Sequence, residues 1–196
     1  MRIKLNTNIH PPQNESPEHF LLKQVAVALL RTRFKCIVAG PEVYVSDRLL
    51  REDAVKIKSY MDMFRETRTI ADAVGINRDH TVRVIEVKAS LNDYKSGLCI
   101  TGDLNYVLAP EGVIPKDELL PGLGLIEANM EDLAFTDRTF EVLGVSITKN
   151  PRRIFERSKE RHERWVRGMT QNIARSLTSD YVYKGRWFYP GYGMTK

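Results

Sequence analysis

The chain has 196 residues, 42% apolar and 28% charged, enough for one domain with a sizeable core and too apolar for a disordered polymer. Its formal net charge is +5, and no apolar run nears the ~18 residues of a helical membrane span. The N-terminal stretch MRIKLNTNIHPPQNESP carries no apolar signal core, and Cys36 and Cys99 stand far apart without a CxxC, which argues against a zinc site or a disulfide framework and suits a reducing cytoplasm.

In chain order, residues 1–15 read as an extended polar leader with Pro11 and Pro12. Ser16-Pro17-Glu18 is a helix start, with a serine cap, proline in the first turn and an acid at the positive end of the helix dipole. Phe20, Leu21, Val25, Ala28 and Leu29 then recur at helical spacing. Residues 35–46 predict a strand in which Pro41 belongs at an edge or a bulge. Residues 47–66, with Leu50, Ala54, Ile57, Met61 and Phe64 among many charges, predict an inserted helix. Residues 68–76 and 80–90 predict two strands joined by the turn Asn77-Arg78-Asp79 as an antiparallel hairpin. Residues 91–100 follow as a helix capped near Asn92 or Asp93, and 103–110 as a strand. A loop at 111–121 and strands at 122–128 and 140–148 come next. Asn150-Pro151 reads as the start of a long helix carrying Phe155, His162, Trp165, Val166, Met169, Ile173 and Leu177 on one period, and the tail from 179 is aromatic and glycine-rich. This order predicts an α/β fold: a central mixed sheet flanked by helices in a core of residues 1–150, with residues 151–196 a basic helix and tail packed on the same domain.

The charge is uneven. Between Lys149 and Arg175 lie nine lysines or arginines and three acids, an excess larger than that of the whole chain. Such a segment suits a polyanion, most simply nucleic acid, with Arg152, Arg153, Arg157, Arg161 and Arg164 as phosphate contacts. The alternative is a solvated helix face laced with ion pairs. Trp165 falls on the apolar stripe and reads as core, whereas Trp187, Phe188 and Tyr189 are candidates for stacking on bases.

Three charged residues interrupt apolar strands: Asp72 in TIADAVGI, and Glu86 and Lys88 in VRVIEVKAS. A strand has a period of two, so Glu86 and Lys88 share a face, and a hairpin would bring Asp72 level with Glu86. Two bare carboxylates repel each other; a hard divalent cation held by both, with the Val87 carbonyl as a further oxygen, removes the conflict. Such an ion polarises a phosphoryl oxygen and acidifies a bound water, and an ammonium beside it offsets charge growing on the phosphate. The alternative for the same spacing is a solvated strand face with a surface ion cluster. His10, His19, His80 and His162 share no ligand spacing, and His80 reads as a solvated turn residue.

Asp72-x13-Glu86-Val87-Lys88 resembles the metal-binding signature of the PD-(D/E)xK, restriction-endonuclease-like nucleases. The stretches Lys88-Ala-Ser90-Leu-Asn-Asp93-Tyr94, Asp103-Leu-Asn-Tyr106-Val-Leu-Ala-Pro110 and Pro121-Gly-Leu-Gly-Leu-Ile126 are similar to a small bacterial DNA-repair, MmcB-like branch of that superfamily. The resemblance covers roughly half of the chain. It implies an αβββαβ core and a metal-dependent nuclease hydrolysing DNA in repair, replication or recombination. Asp72 and Glu86 would ligate Mg²⁺ or Mn²⁺, and Lys88 would be the catalytic lysine. Many members add an acid from the first helix, for which Glu18 is the best-placed residue and Glu15 the substitute; Glu42 is a further supporting acid. Ser90 and Asp93 would cap the following helix or position a phosphate. The family's proline is replaced by Ala71, and neither the 47–66 insertion nor the C-terminal segment belongs to the matched core. A specific duplex cutter would call for a homodimer with two sites. The other reading is a non-catalytic nucleic-acid-binding or assembly protein that keeps the nuclease fold.

Overall fold

The computed structural model describes residues 3–6, 15–45, 66–67, 70–130, 133–136, 139–142 and 144–182. In order these form β1 (Ile3–Asn6), α1 (Pro17–Thr32), β2 (Val38–Tyr44), β3 (Glu66–Thr67), β4 (Ile70–Ile76), β5 (Val82–Val87), α2 (Leu91–Ser96), β6 (Gly97–Leu98), β7 (Leu104–Pro110), β8 (Gly124–Ala128), β9 (Leu133–Thr136), β10 (Thr139–Val142), β11 (Ser146–Lys149) and α3 (Lys159–Val182).

Six strands make one mixed sheet in the order β11-β8-β7-β5-β4-β2. β2, β4 and β5 form an antiparallel meander, β7 and β8 run parallel to β5, and β11 closes the far edge antiparallel to β8. The β4–β5 hairpin turns at Asn77–His80, where the His80 N–H reaches the Asn77 carbonyl at 3.0 Å and Asp79 accepts from the Thr81 N–H at 3.0 Å. A short antiparallel sheet, β1-β10-β9, and the two-residue parallel pair β3-β6 complete the strands.

Helix α1 lies on one face. It starts as its sequence dictates, with the Ser16 side chain accepting from the His19 N–H and Pro17 in the first turn. From Phe20 to Leu30 every residue is buried, Lys23 and Gln24 included. Leu22, Val25, Ala26, Leu29 and Leu30 pack on Ala73, Ile85, Val87, Tyr106, Leu108 and Ile126. Gly75 permits the close approach: a Cβ there would sit 2.7 Å from Cys36 Sγ and 3.0 Å from a Leu30 methyl.

The opposite face is covered in two parts. Trp165, Met169 and Ile173, one stripe of α3, pack on Val43, Val74, Ile76, Val82 and Val84. Tyr94, Leu119, Leu120, Leu123 and Phe155 cover Val107, Ala109 and Leu125. Helix α3 also protects the β2 edge: Asn172 donates to the Tyr44 carbonyl at 2.8 Å and Ser176 to the Pro41 carbonyl. Pro41 lies on this edge strand, where a missing N–H is tolerated.

Several expectations from sequence need correction. The leader contains a strand, β1, paired with β10. The segment 140–148 is two strands, because Gly144 takes a φ of +83° between β10 and β11. The cap of α2 is Ser90, accepting from the Asp93 N–H at 3.1 Å, and not Asn92 or Asp93. The long helix begins at Lys159 rather than at Pro151. Residues 150–158 run irregularly, tied by the Arg152 N–H to the Gly122 carbonyl at 2.9 Å, and Ser158 caps the helix by accepting from the Arg161 N–H at 3.4 Å. The inserted helix expected at 47–66 and the tail aromatics Trp187, Phe188 and Tyr189 lie outside the described residues, apart from Glu66 in β3.

Candidate functional site

The site follows from the way β4 and β5 part. Their backbone pairing runs from Ile76↔Val82 to Ala73↔Ile85. At the next level, Asp72 and Glu86, side chains replace the ladder. The Asp72 N–H donates to Glu86 Oε1 at 3.2 Å, and the Val87 N–H donates to Asp72 Oδ2 at 2.8 Å. Glu42 on β2 stands level with Asp72, between the pairs Pro41↔Ala73 and Val43↔Ala71. Three strands therefore bring three carboxylates, Glu42, Asp72 and Glu86, into one row. Glu42 has a φ of +48°, a left-handed conformation that costs a non-glycine residue roughly 1–3 kcal/mol and that clusters at functional sites.

Glu86 is 2% exposed, and its Oε2 makes no hydrogen bond. Burial, reinforced by the charge of Asp72 and only partly offset by Lys88 and by the backbone N–H groups of Cys99 and Asp72, pushes its pKa up to about 8. The strand face that carries Glu86 and Lys88 does not meet water, which answers the surface-cluster alternative raised by the sequence.

Two cations from α1 lean on this row. Glu15, His19 and Lys23 lie one helical turn apart, so they share one side of the helix entry. Lys23 Nζ is 2.7 Å from Glu15 Oε1, 3.1 Å from Glu42 Oε1 and 3.8 Å from Asp72 Oδ1. Burial opposes its charge, but these carboxylates outweigh burial and raise its pKa. His19 places Nδ1 2.7 Å from Glu15 Oε1 and Nε2 3.3 Å from the Val87 carbonyl. Both neighbours only accept, so the doubly protonated ring satisfies both. Burial disfavours that form; the Glu15 hydrogen bond and the charge of Asp72 override it and raise the His19 pKa. For Glu15 burial alone would push the carboxyl up, but the bonds from His19 and Lys23 hold it below its ordinary range.

Of the two first-helix acids, Glu15 is the one in the cluster, while Glu18 is exposed on the next turn of the helix. Glu15 precedes the cap and folds back towards Lys23; Glu18, one residue after Pro17, is carried to the outer side. Sequence reasoning passed over His19 and Lys23. The i, i+4, i+8 spacing of Glu15, His19 and Lys23, with a lysine set inside Phe20–Leu30, was the signal available for them.

Lys88 is wholly buried. Its Nζ donates to the Gly97 carbonyl at 2.7 Å and lies 3.6 Å from Asp93 Oδ1, so it ties the end of β5 to α2. Ser90 acts as the cap of that helix.

The basic segment divides. Arg152, Arg153 and Arg164 are exposed and Arg161 half-buried. Arg157 is not a surface contact: its side chain is 3% exposed, 3.3 Å from Asp103 Oδ1, donates to the Thr101 carbonyl at 3.0 Å, and stacks on Phe155 and Trp165 with centroid distances of 4.9 and 4.5 Å. Asp103 also meets His162 Nε2 at 3.0 Å and the Val82 N–H at 2.8 Å. Arg157 is thus the pin that seats the start of α3 on β5 and β7. Arg157→Ala should lower the unfolding free energy by about 3–5 kcal/mol, since removing one partner strands a buried charge. Arg152→Ala should stay within about 0.5 kcal/mol of the parent. Urea unfolding of the two variants checks the contrast.

Among the described residues no three His, Cys, Asp or Glu side chains form a ready metal set. What is present is two carboxylates where β4 and β5 part, one buried oxygen without a partner, and the Val87 carbonyl, which His19 Nε2 meets at 3.3 Å and would share with or yield to an ion. This donor set fits a hard divalent ion that keeps several waters.

The chain thus folds as an α/β protein whose six-stranded mixed sheet packs against N- and C-terminal helices, and no described helix is long and apolar enough to cross a membrane. No family model and no curated protein matches it. Among solved structures it is similar to the SPO1766 protein of unknown function from Silicibacter pomeroyi, with a TM-score of 0.53 and 14% identity over 90% of this chain and 99% of that one. At that identity the likeness speaks for the fold alone.

Proposed function

We propose that this protein is a metal-dependent nuclease of the restriction-endonuclease-like, PD-(D/E)xK type, hydrolysing phosphodiester bonds of DNA. The observation that carries the reading is the meeting of Asp72 and Glu86 where β4 and β5 part, with Glu86 Oε2 buried and unpartnered. The order α1-β2-β4-β5-α2-β7, with β7 parallel beside β5, supports the αβββαβ core that the signature requires. Asp72, Glu86 and the Val87 carbonyl are the groups that would hold Mg²⁺ or Mn²⁺. Such an ion, when bound, polarises a phosphoryl oxygen and generates the attacking hydroxide.

The chain's own residues do the rest. The Val87 N–H and Asp72 N–H fix the two carboxylates in their rotamers, so little reorganisation is needed when the pair is used. The exposed Arg152, Arg153 and Arg164 supply the sequence-independent attraction to the DNA backbone. The burial of Lys88 favours the second reading, a nucleic-acid-binding protein that keeps the fold without the chemistry.

A cleavage assay on single-stranded, duplex and branched DNA with Mg²⁺, Mn²⁺ or EDTA, run beside Lys88→Ala, separates the two. Cutting that appears with the divalent ion and stops in EDTA is expected. Salt-sensitive binding with no cutting in either metal sinks the nuclease and leaves the binding protein.

A further inference from the structure

Resting on the metal site just described, we propose that Lys23 is a resident counter-cation of the Glu42–Asp72–Glu86 row, and that it keeps the affinity for a divalent ion low until a phosphodiester enters. Lys23 reaches the row from α1, its Nζ within 3.1 Å of Glu42 and 3.8 Å of Asp72, with Glu15 holding it at 2.7 Å. Its side chain is 9% exposed, so its position is set by packing and not by chance collapse of a surface lysine. An ammonium this close to Asp72 repels any divalent ion bound there and competes for the same oxygen. Lys88 acts on Glu86 and has its Nζ on the Gly97 carbonyl and 3.6 Å from Asp93, whereas Lys23 is the lysine placed against Asp72 and Glu42. The buried, unpartnered Glu86 Oε2 is an independent sign of a place for a ligand beside Asp72, one that displaces the Glu86 proton when it binds.

A phosphodiester alters the balance. It brings negative charge to the ion and to Lys23 together, so the ammonium exchanges a carboxylate for a phosphate as the ion settles on Asp72 and Glu86. The ion and the DNA then bind better together than either does alone, which is a reciprocal coupling between the two ligands. Away from its substrate, a site of this kind fills only at high metal concentration.

The test measures Mn²⁺ affinity of the full chain by electron paramagnetic resonance, for the parent, Lys23→Met and Lys23→Gln, with and without a single-stranded phosphorothioate oligonucleotide. Without DNA, Lys23→Met should bind Mn²⁺ at least tenfold more tightly than the parent, and adding Asp72→Asn should remove the gain. The oligonucleotide should tighten Mn²⁺ binding to the parent at least tenfold and to the Lys23 variants by less. Equal or weaker Mn²⁺ binding by both variants overturns the proposal, as does a parent and a variant that both ignore Mn²⁺. Should neither variant fold unaided, refolding on addition of Mn²⁺ supports the role and failure to refold overturns it. Cleavage is scored separately: a parent that binds Mn²⁺ in this pattern and cuts nothing sinks the nuclease and leaves the role of Lys23 intact.

Discussion

Asp72→Asn should leave the protein folded and remove cleavage by at least ~10³-fold, about 4 kcal/mol on the barrier. The asparagine keeps an oxygen to accept from the Val87 N–H, as Asp72 Oδ2 does at 2.8 Å, so the backbone where β4 and β5 part stays satisfied. Alanine at this position would strand that N–H at a cost of about 1–3 kcal/mol and confuse loss of fold with loss of chemistry. Asparagine lifts the repulsion between Asp72 and Glu86 and gives up the attraction of Asp72 for Lys23, 3.8 Å away, two changes of opposite sign, so the variant should remain folded. What it removes is one of the two anionic donors, and with it the charge that makes a hard divalent ion prefer this spot to water. DNA retention in EDTA at moderate salt should change by less than about threefold, since the exposed arginines lie on another part of the chain. Single-turnover cleavage under matched Mn²⁺ and a filter-binding isotherm measure the two effects. If Asp72→Asn cuts within tenfold of the parent, the ligand assignment is wrong.

Much of this architecture was legible in the residues, and the reasons differ from place to place. The β4–β5 hairpin was readable because two apolar runs flank a three-residue polar turn, and the placing of Asp72 beside Glu86 followed from the strand period once the hairpin was granted. Ser16-Pro17 fixed the start of α1 for local reasons of capping. The start of α3 was misread because Asn150-Pro151 has the same cap chemistry. There, tertiary contacts win: Phe155 and Arg157 are drawn into the core by Trp165, Asp103 and Thr101, and the chain becomes helical only after they are seated. The basic count over the same segment overstated the surface charge, since an arginine between two aromatic rings and a buried aspartate cannot be told from an exposed one by composition. The cations of the site were harder still. His19 and Lys23 belong to a helix that reads as an apolar packing element, and their meeting with Asp72 and Val87 spans sequence separations that no local pattern encodes.

The second large effect concerns Glu86 and pH. Its pKa in the folded protein is raised from an ordinary 4.5 to about 8 by burial and by Asp72. An acid whose folded pKa is raised contributes its stability in full below the unfolded value and loses it as pH climbs through the folded one. Between about pH 4.5 and pH 8 the folded chain therefore holds a proton that the unfolded chain has released, and stability declines across that window. Glu86→Gln removes the titration and keeps the shape, so it should equal the parent near pH 4 and exceed it increasingly up to pH 8. At about 1.4 kcal/mol per pH unit, the plateau difference is on the order of a few kcal/mol. Divalent ions should reverse the order. Saturating Mn²⁺ at pH 7.5 favours the ionised carboxylate of the parent, releases its proton and raises its melting temperature, and does neither for Glu86→Gln. Chemical denaturation from pH 4 to 9, with and without Mn²⁺, gives the result directly. A parent as stable as Glu86→Gln at pH 8.5 without metal would mean that Glu86 does not sit in this buried, doubly acidic setting, and the site would lose the oxygen on which its metal chemistry depends.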